Sequence, residues 1–221
     1  MVYCGVFLLY VARYNDLKDA LEKLKLNDDS IQYSPEVSSA LGFGFRCGFL
    51  GLLHLEIVQE RLERDFDQSV IFTAPSVRYK IQLDNGEETF IDNPSEYPQG
   101  RIRAAEEPYI KASIITPAEF LGSIMALCTE KRGVQTNMTY LDTKRVELQY
   151  EMPLSEVLFD FYDRLKSYSR GYASFDYDII GYRPTDLVKV DILINGKMVD
   201  ALSLLTFKQN SVERARKVCE R

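Results

Sequence analysis

Segments that alternate apolar and polar every second residue, and segments with apolar residues every three or four, follow one another in the same order twice along the 221 residues. A strand with one buried face needs the first period and a helix with one buried face needs the second, so the recurrence constrains the fold more than any single motif. The first round opens with VYCGVFLLY as a strand. NDLKDALEKLKLND follows, with Leu17, Ala20, Leu21 and Leu24 at helical spacing behind an Asn15 cap. IQYSPEVS and ALGFGFRCGF read as strands. In LGLLHLEIVQERLERDF, Leu55, Val58, Leu62 and Phe66 line one helical face while Glu60, Arg61, Glu63 and Arg64 take the other. SVIFTAPSVRYKIQL closes the round as a strand, Val77, Tyr79, Ile81 and Leu83 alternating with polar neighbours.

Asp84-Asn85-Gly86 marks a tight turn, and the acidic, proline-bearing stretch to Ala105 reads as a hairpin extension and linker. The second round begins with EPYIKASIIT. Thr116-Pro117-Ala118-Glu119 predicts a capping box with proline at the first helical position, opening a helix to about Arg132 whose buried stripe is Phe120, Ile124, Leu127 and Cys128. TNMTYL and RVELQYEM are strands. A helix is predicted from Ser155 to about Ser169 with Val157, Leu158, Phe161 and Leu165 inward, and YASFDYDIIGY completes the round. Both rounds are β-α-β-β-α-β, which predicts an α+β chain of two ferredoxin-like sandwiches. The expected domains are residues 1–83, a linker at 84–105, and residues 106–185. Residues 186–221, with a hairpin turn at Asn195-Gly196 and a terminal helix in SVERARKVCER, form the start of a third α/β segment, since three dozen residues rarely fold alone.

At 46% hydrophobic and 27% charged, the composition excludes a disordered chain. Cys4, Cys47, Cys128 and Cys219 form no C-x-x-C pair, which argues against a zinc ribbon and for buried thiols in a reducing cytosol. Arg46 and His54 interrupt the best apolar stretch before it reaches the roughly 18 residues a membrane span requires, and no signal peptide opens the chain; a cytoplasmic protein is expected. A net charge of −6 excludes a polycation, so any contact with nucleic acid is local.

The glycines of GFGFRCGFLGLLH raise the question of a phosphate cradle. The third glycine of a dinucleotide fingerprint comes one residue late, at Gly48, and no G-x-x-x-x-G-K-[ST] occurs. Gly42 and Gly44 are read instead as points of close backbone approach, Gly48 and Gly51 as shaping the passage into a helix. His54 is the sole histidine; His54-Leu55-Glu56 matches H-x-E, but the P-C-x-x-C partner of zinc deaminases is absent, and a structural histidine is expected. Asp178 to Gly181 fits D-x-x-G, which means nothing without a P-loop. No catalytic, nucleotide-binding or metal-binding residue is assigned. The candidate contacts to RNA or the ribosome are Lys131, Arg132, Arg164, Lys166 and Arg170, the last three interleaved with Tyr162, Tyr168 and Tyr172, where charge can meet phosphate and rings can stack.

The stretches ALGFGFRCGFLGLLHLEIVQERLERDF, RVELQYEMPLSEVLFDFYDRLKS, RGYASFDYDIIGYR and LVKVDILINGKMVDALS closely resemble the LepA family, elongation factor four, of ribosomal GTPases. GLLHLEI is also similar to a motif of elongation factor G, but there a large extra domain separates the two ferredoxin-like units, whereas here only the linker intervenes. The resemblance implies a translation factor that binds the ribosome (rRNA and ribosomal proteins) and tRNA and hydrolyses GTP with Mg. It also implies back-translocation of tRNAs or fidelity under stress, and peripheral association with the inner face of the cell membrane. This chain would hold the third domain, the domain similar to domain five of elongation factor G, and the start of the family's C-terminal domain, without cofactor, stable small ligand or catalysis of its own. Two stretches depart from the family: FLLYVARYN lacks a proline and acidic residues after the first strand, and Phe207 stands where a histidine is common. Two other readings share the fold: an acyl-phosphate hydrolase with Arg46 holding phosphate, and a tandem regulatory module binding a small ligand.

Overall fold

The structure, a computed structural model, describes residues 1–10 and 13–220. It is a mixed α+β architecture of several antiparallel sheets with interspersed helices, in two compact units: Met1–Ala105 together with Thr185–Arg221, and Glu106–Pro184.

The first unit begins with β1 (Val2–Leu8), α1 (Tyr14–Asn27), β2 (Gln32–Ser38), β3 (Gly42–Phe49), α2 (Leu52–Arg64), β4 (Val70–Phe72) and β5 (Ser76–Val77). The sheet order is β2-β3-β1-β4, with β5 also on β1, every pairing antiparallel. Cys4, Val6, Leu8, Phe45, Cys47 and Phe49 pack on Leu17, Leu21 and Leu24 of α1 and Leu55, Val58 and Leu62 of α2. Tyr14 stacks on Phe45 with ring centres 4.9 Å apart. The helix starts at Tyr14, so Asn15 lies inside it and caps nothing; the FLLYVARYN turn includes Val11 and Ala12, which lie outside the described residues.

The glycines of β3 explain themselves on the opposite sheet face. Tyr3 sits across from Gly48 and Phe7 across from Gly44. A Cβ at Gly48 would lie 2.7 Å from the Tyr3 ring, and one at Gly44 would lie 2.4 Å from the Val6 carbonyl oxygen. Bare backbone on one strand thus admits a large ring from its neighbour.

The predicted strand SVIFTAPSVRYKIQL divides into three: β4 and β5 pair with β1, while β6 (Tyr79–Leu83) pairs with β7 (Glu88–Ile91) around Gly86, whose φ is +87°. β8 (Ile102–Pro117) runs through the division between the units.

The second unit continues with α3 (Leu121–Glu130), β9 (Val134–Tyr140), β10 (Arg145–Pro153), α4 (Leu154–Val157), α5 (Phe161–Tyr168) and β11 (Ser174–Thr185). β10 lies between β9 and β8, and β11 pairs with β8. Ile110, Ala112 and Ile114 of β8 and Val146, Leu148, Tyr150 and Met152 of β10 are buried with Ile124, Leu127, Phe161 and Leu165 of the helices.

The capping box at Thr116 does not form. Thr116 stays in the β8–β10 ladder opposite Val146, fully buried, and the Ala118 amide donates to the Lys144 carbonyl at 2.8 Å. Extending the ladder satisfies these backbone groups, and the helix begins only after a single 3-10 turn at Ala118–Phe120. The predicted helix over 155–169 comes as two pieces, α4 and α5, with Asp160 at the junction turned toward Lys131.

The remaining residues rejoin the first unit. β12 (Leu187–Val190) and β15 (Leu204–Phe207) pair, β13 (Leu193–Ile194) and β14 (Lys197–Met198) form a hairpin on Asn195-Gly196, and α6 (Ser211–Cys219) packs on β12 and β15. Cys4, Cys47 and Cys128 are buried free thiols, but Cys219 is exposed, because α6 buries no residue.

Candidate functional site

The five basic candidates all fall in the second unit, around the C-terminal ends of α3 and α5. The two ends are built alike. At α3 the Gly133 amide donates to the Cys128 carbonyl at 2.8 Å and the Arg132 amide to the Thr129 carbonyl at 3.1 Å; at α5 the Gly171 amide donates to the Lys166 carbonyl at 2.8 Å and the Arg170 amide to the Ser167 carbonyl at 3.4 Å. This is a Schellman closure, which requires its penultimate residue in the left-handed region, a place usually held by glycine. Here arginine holds it twice, Arg132 at φ +58° and Arg170 at φ +51°.

Arg132 turns inward. Nη1 and Nη2 donate to the two oxygens of Glu107 at 2.6 and 3.2 Å, and Nε donates to Glu156 at 3.0 Å. Those carboxylates are only 1% and 3% exposed, and Ser155 Oγ donates to Glu107 at 3.1 Å. Burial works against the Arg132 charge, but the two carboxylates outweigh it and hold its pKa above the ordinary value. Lys131 is buried as well, its Nζ 2.6 Å from Asp160.

Arg164 lies across the outside of these helices, forked onto Glu130 (Nη2–Oε2 2.7 Å) and donating to Tyr168 Oη at 3.0 Å. The same fork holds the Glu130 carboxyl below its usual range. Arg170 and Lys166 are exposed, Arg170 with its guanidinium 5.9 Å from the Phe120 ring centre. Beyond Gly171, at φ +81°, Tyr172 is 73% exposed. So the structure ties Arg132 to the buried Glu107 and Glu156, joins Lys131 and Arg164 through Asp160 with Arg164 also on the half-exposed Glu130, and leaves Lys166 and Arg170 facing solvent, as Tyr168 and Tyr172 do. Sequence reasoning missed the four carboxylates; Glu107 and Glu156 sit off the apolar periods of their elements, so no periodicity marks them as buried.

The residues that tempted other chemistry are occupied in the first unit. Arg46 Nε donates to Asp92 Oδ1 at 2.9 Å and its Nη2 to the Asp92 carbonyl, while Arg78 shares the same carboxylate at 3.2 Å. Asp92 thus takes up the Nε–Nη2 edge of the Arg46 guanidinium and makes it part of a structural ion pair. His54 Nδ1 accepts from the Leu50 amide at 3.0 Å, and its Nε2 lies 2.8 Å from Asp28 Oδ2. The side chain fastens the start of α2 to the loop before it and to the end of α1. Among the described residues no group of three or more His, Cys, Asp or Glu is arranged to hold a metal, and no helix is long and apolar enough to cross a membrane.

A family model described as elongation factor G C-terminus matches residues 104–193. Elongation factor 4 of Treponema denticola is 66% identical, covering 100% of this chain and 37% of that protein; those of Halalkalibacterium halodurans and Anoxybacillus flavithermus are 56% and 54% identical, with 100% of this chain and 36% of theirs covered. The chain therefore spans a little over a third of the length of the curated relatives it matches. A crystal structure of a Thermus thermophilus protein is similar in fold, with a TM-score of 0.54 over 99% of this chain and 43% of that one at 14% identity. From one end to the other, the segment similar to elongation factor G included, the chain matches elongation factor 4, the LepA family, at high identity.

Proposed function

We propose that this chain is a ribosome-facing part of a LepA-type translational GTPase, contributing shape and local charge while nucleotide chemistry, with GTP and Mg, resides in sequence the relatives carry outside the matched region. The observation that carries this reading is the 66% identity to an elongation factor 4 over the whole chain. On the same reading the parent moves tRNAs backwards or supports fidelity under stress, works in the cytoplasm, and associates peripherally with the inner face of the cell membrane. Two ferredoxin-like sandwiches account for the organisation: the orders β2-β3-β1-β4 and β9-β10-β8-β11 both place the third strand of a β-α-β-β-α-β run between the first and second.

The contact itself we assign to the turn after α5. Lys166 and Arg170 present charge, and Tyr168 and Tyr172 present rings, in the combination that single-stranded or irregular RNA accepts. Lys131, Arg132 and Arg164 shape that turn's support rather than touch RNA. Cosedimentation of the 221-residue chain with ribosomes across a salt series tests the reading. Binding is expected at low salt and weakens as salt rises, with a shallower dependence in Lys166→Ala/Arg170→Ala. Absence of binding at low salt would remove the basis for these contacts.

A further inference from the structure

Residues 186–220 fold as small pieces with little burial of their own. Leu187, Ile192, Leu204 and Leu205 are buried, whereas Leu193, Ile194 and Met198 of the β13–β14 hairpin are 51–60% exposed and α6 buries nothing. Apolar contact alone holds such a segment weakly, so its polar ties matter.

Tyr97 Oη makes a long contact with the Leu187 carbonyl at 3.4 Å, and one carboxylate gathers the shorter ones. Asp200 opens the 3-10 turn Asp200–Leu202, and its Oδ1 accepts from Ser38 Oγ at 2.7 Å while Oδ2 accepts from the Ser39 amide at 2.6 Å. The Ala40 amide adds a longer contact to Oδ1 at 3.3 Å. The receptor is the tip between β2 and β3, roughly 160 residues away in sequence, and it carries hydrogen bonds of its own. Ser38 Oγ also accepts from the Ala40 and Leu41 amides at 3.2 and 3.1 Å, which points its hydroxyl proton and the Ser39 amide in one direction. Two amides and a hydroxyl converging on an anion is the chemistry of an oxyanion nest.

We propose that Asp200 is a latch: its carboxylate, seated in the nest at Ser38–Ala40, docks residues 186–221 onto the first unit, and without it the segment detaches while the rest of the unit stays folded. Charge-assisted hydrogen bonds of this kind are about twice as strong as neutral ones. The seat is also selective for the ionised form: burial works against the charge, but the donors at Ser38, Ser39 and Ala40 outweigh it and leave the Asp200 carboxyl below its usual range.

The rival is that Asp200 merely caps its own turn, since Oδ1 also accepts from the Ala201 amide at 2.8 Å. Amide hydrogen exchange on the 221-residue chain separates the two. In Asp200→Ala the latch predicts exchange faster by about tenfold at Ser39 and Ala40 and across 204–207, with the β1–β3 amides unchanged. Asp200→Asn, which keeps one acceptor, is expected to fall between. Ser38→Ala removes part of the receptor without touching the 200–202 turn and is expected to loosen 204–207 as well. Acceleration confined to 201–203 in Asp200→Ala, or unchanged exchange at 204–207 in Ser38→Ala, would overturn the latch. Should Asp200→Ala melt the whole unit, Ser38→Ala carries the test.

Discussion

The ends of α3 and α5 share a backbone and differ in what surrounds the arginine that closes it. Arg132 in the left-handed position is held by two buried carboxylates, and Arg170 in the same conformation projects into solvent. A left-handed arginine costs about 1–2 kcal/mol relative to its right-handed state. At α3 a buried ion triad offsets that cost, whereas at α5 the exposed Arg170 has a distant aromatic ring, 5.9 Å from its guanidinium. The lesson is that an identical R-G ending can be internal architecture in one place and an outward-facing group in another, and that its acceptors decide which.

The strongest way to break this comparison is Arg132→Ala. It strands Glu107 and Glu156 without their cation, and about 3–5 kcal/mol should disappear from the urea unfolding free energy. A loss under ~1 kcal/mol would mean that the triad does not set the difference. Arg132→Gly is expected to lose nearly as much, because relief of the backbone returns only a small part.

Next in size is Lys131→Met, which leaves Asp160 one-third exposed and without the Lys131 ammonium; about 1 kcal/mol of stability should go. Arg170→Gly should run the other way. Removing a side chain from a left-handed residue with φ +51° is expected to raise the unfolding free energy slightly, by up to ~1 kcal/mol, while ribosome cosedimentation weakens. Opposite signs for Arg132→Gly and Arg170→Gly would sharpen the contrast into a measured difference between two positions of one conformation.

The smallest effect concerns acid. Glu130 has its folded pKa lowered by the Arg164 fork. Its contribution is therefore fully present above the unfolded carboxyl value, near about 4.3. It is lost as pH falls through the lower folded value. Because both groups are partly exposed, a few tenths of a kcal/mol is expected. Glu130→Gln should flatten that part of the stability curve by losing those few tenths at neutral pH, where the charge is present, and leaving the acid end nearly unchanged.

The order of elements was legible because each depends on a local period: the stripes of α1 and α2 and the alternation of β8 and β10 announce themselves. What the sequence concealed depends on partners far along the chain. Thr116-Pro117-Ala118-Glu119 has the form of a cap, yet a cap competes with a ladder that only β10 can supply. Lys131 and Arg132 look like solvated helix-end cations until Asp160, Glu107 and Glu156 are brought to them. The glycine run shows the reverse case. Its failure to match a phosphate motif was readable, but its purpose required knowing that Tyr3 and Phe7 lie opposite.

Cys4 and Cys47 face each other across β1 and β3, both fully buried, with burial pushing the Cys4 thiol up to about 12 and the Cys47 thiol well above its ordinary value; Cys128, in the other unit, is likewise pushed up to about 12. Since alkylating reagents attack thiolate and need access, Cys219 should react at once and mark time zero. The other three would then act as clocks, their modification paced by how often each unit opens.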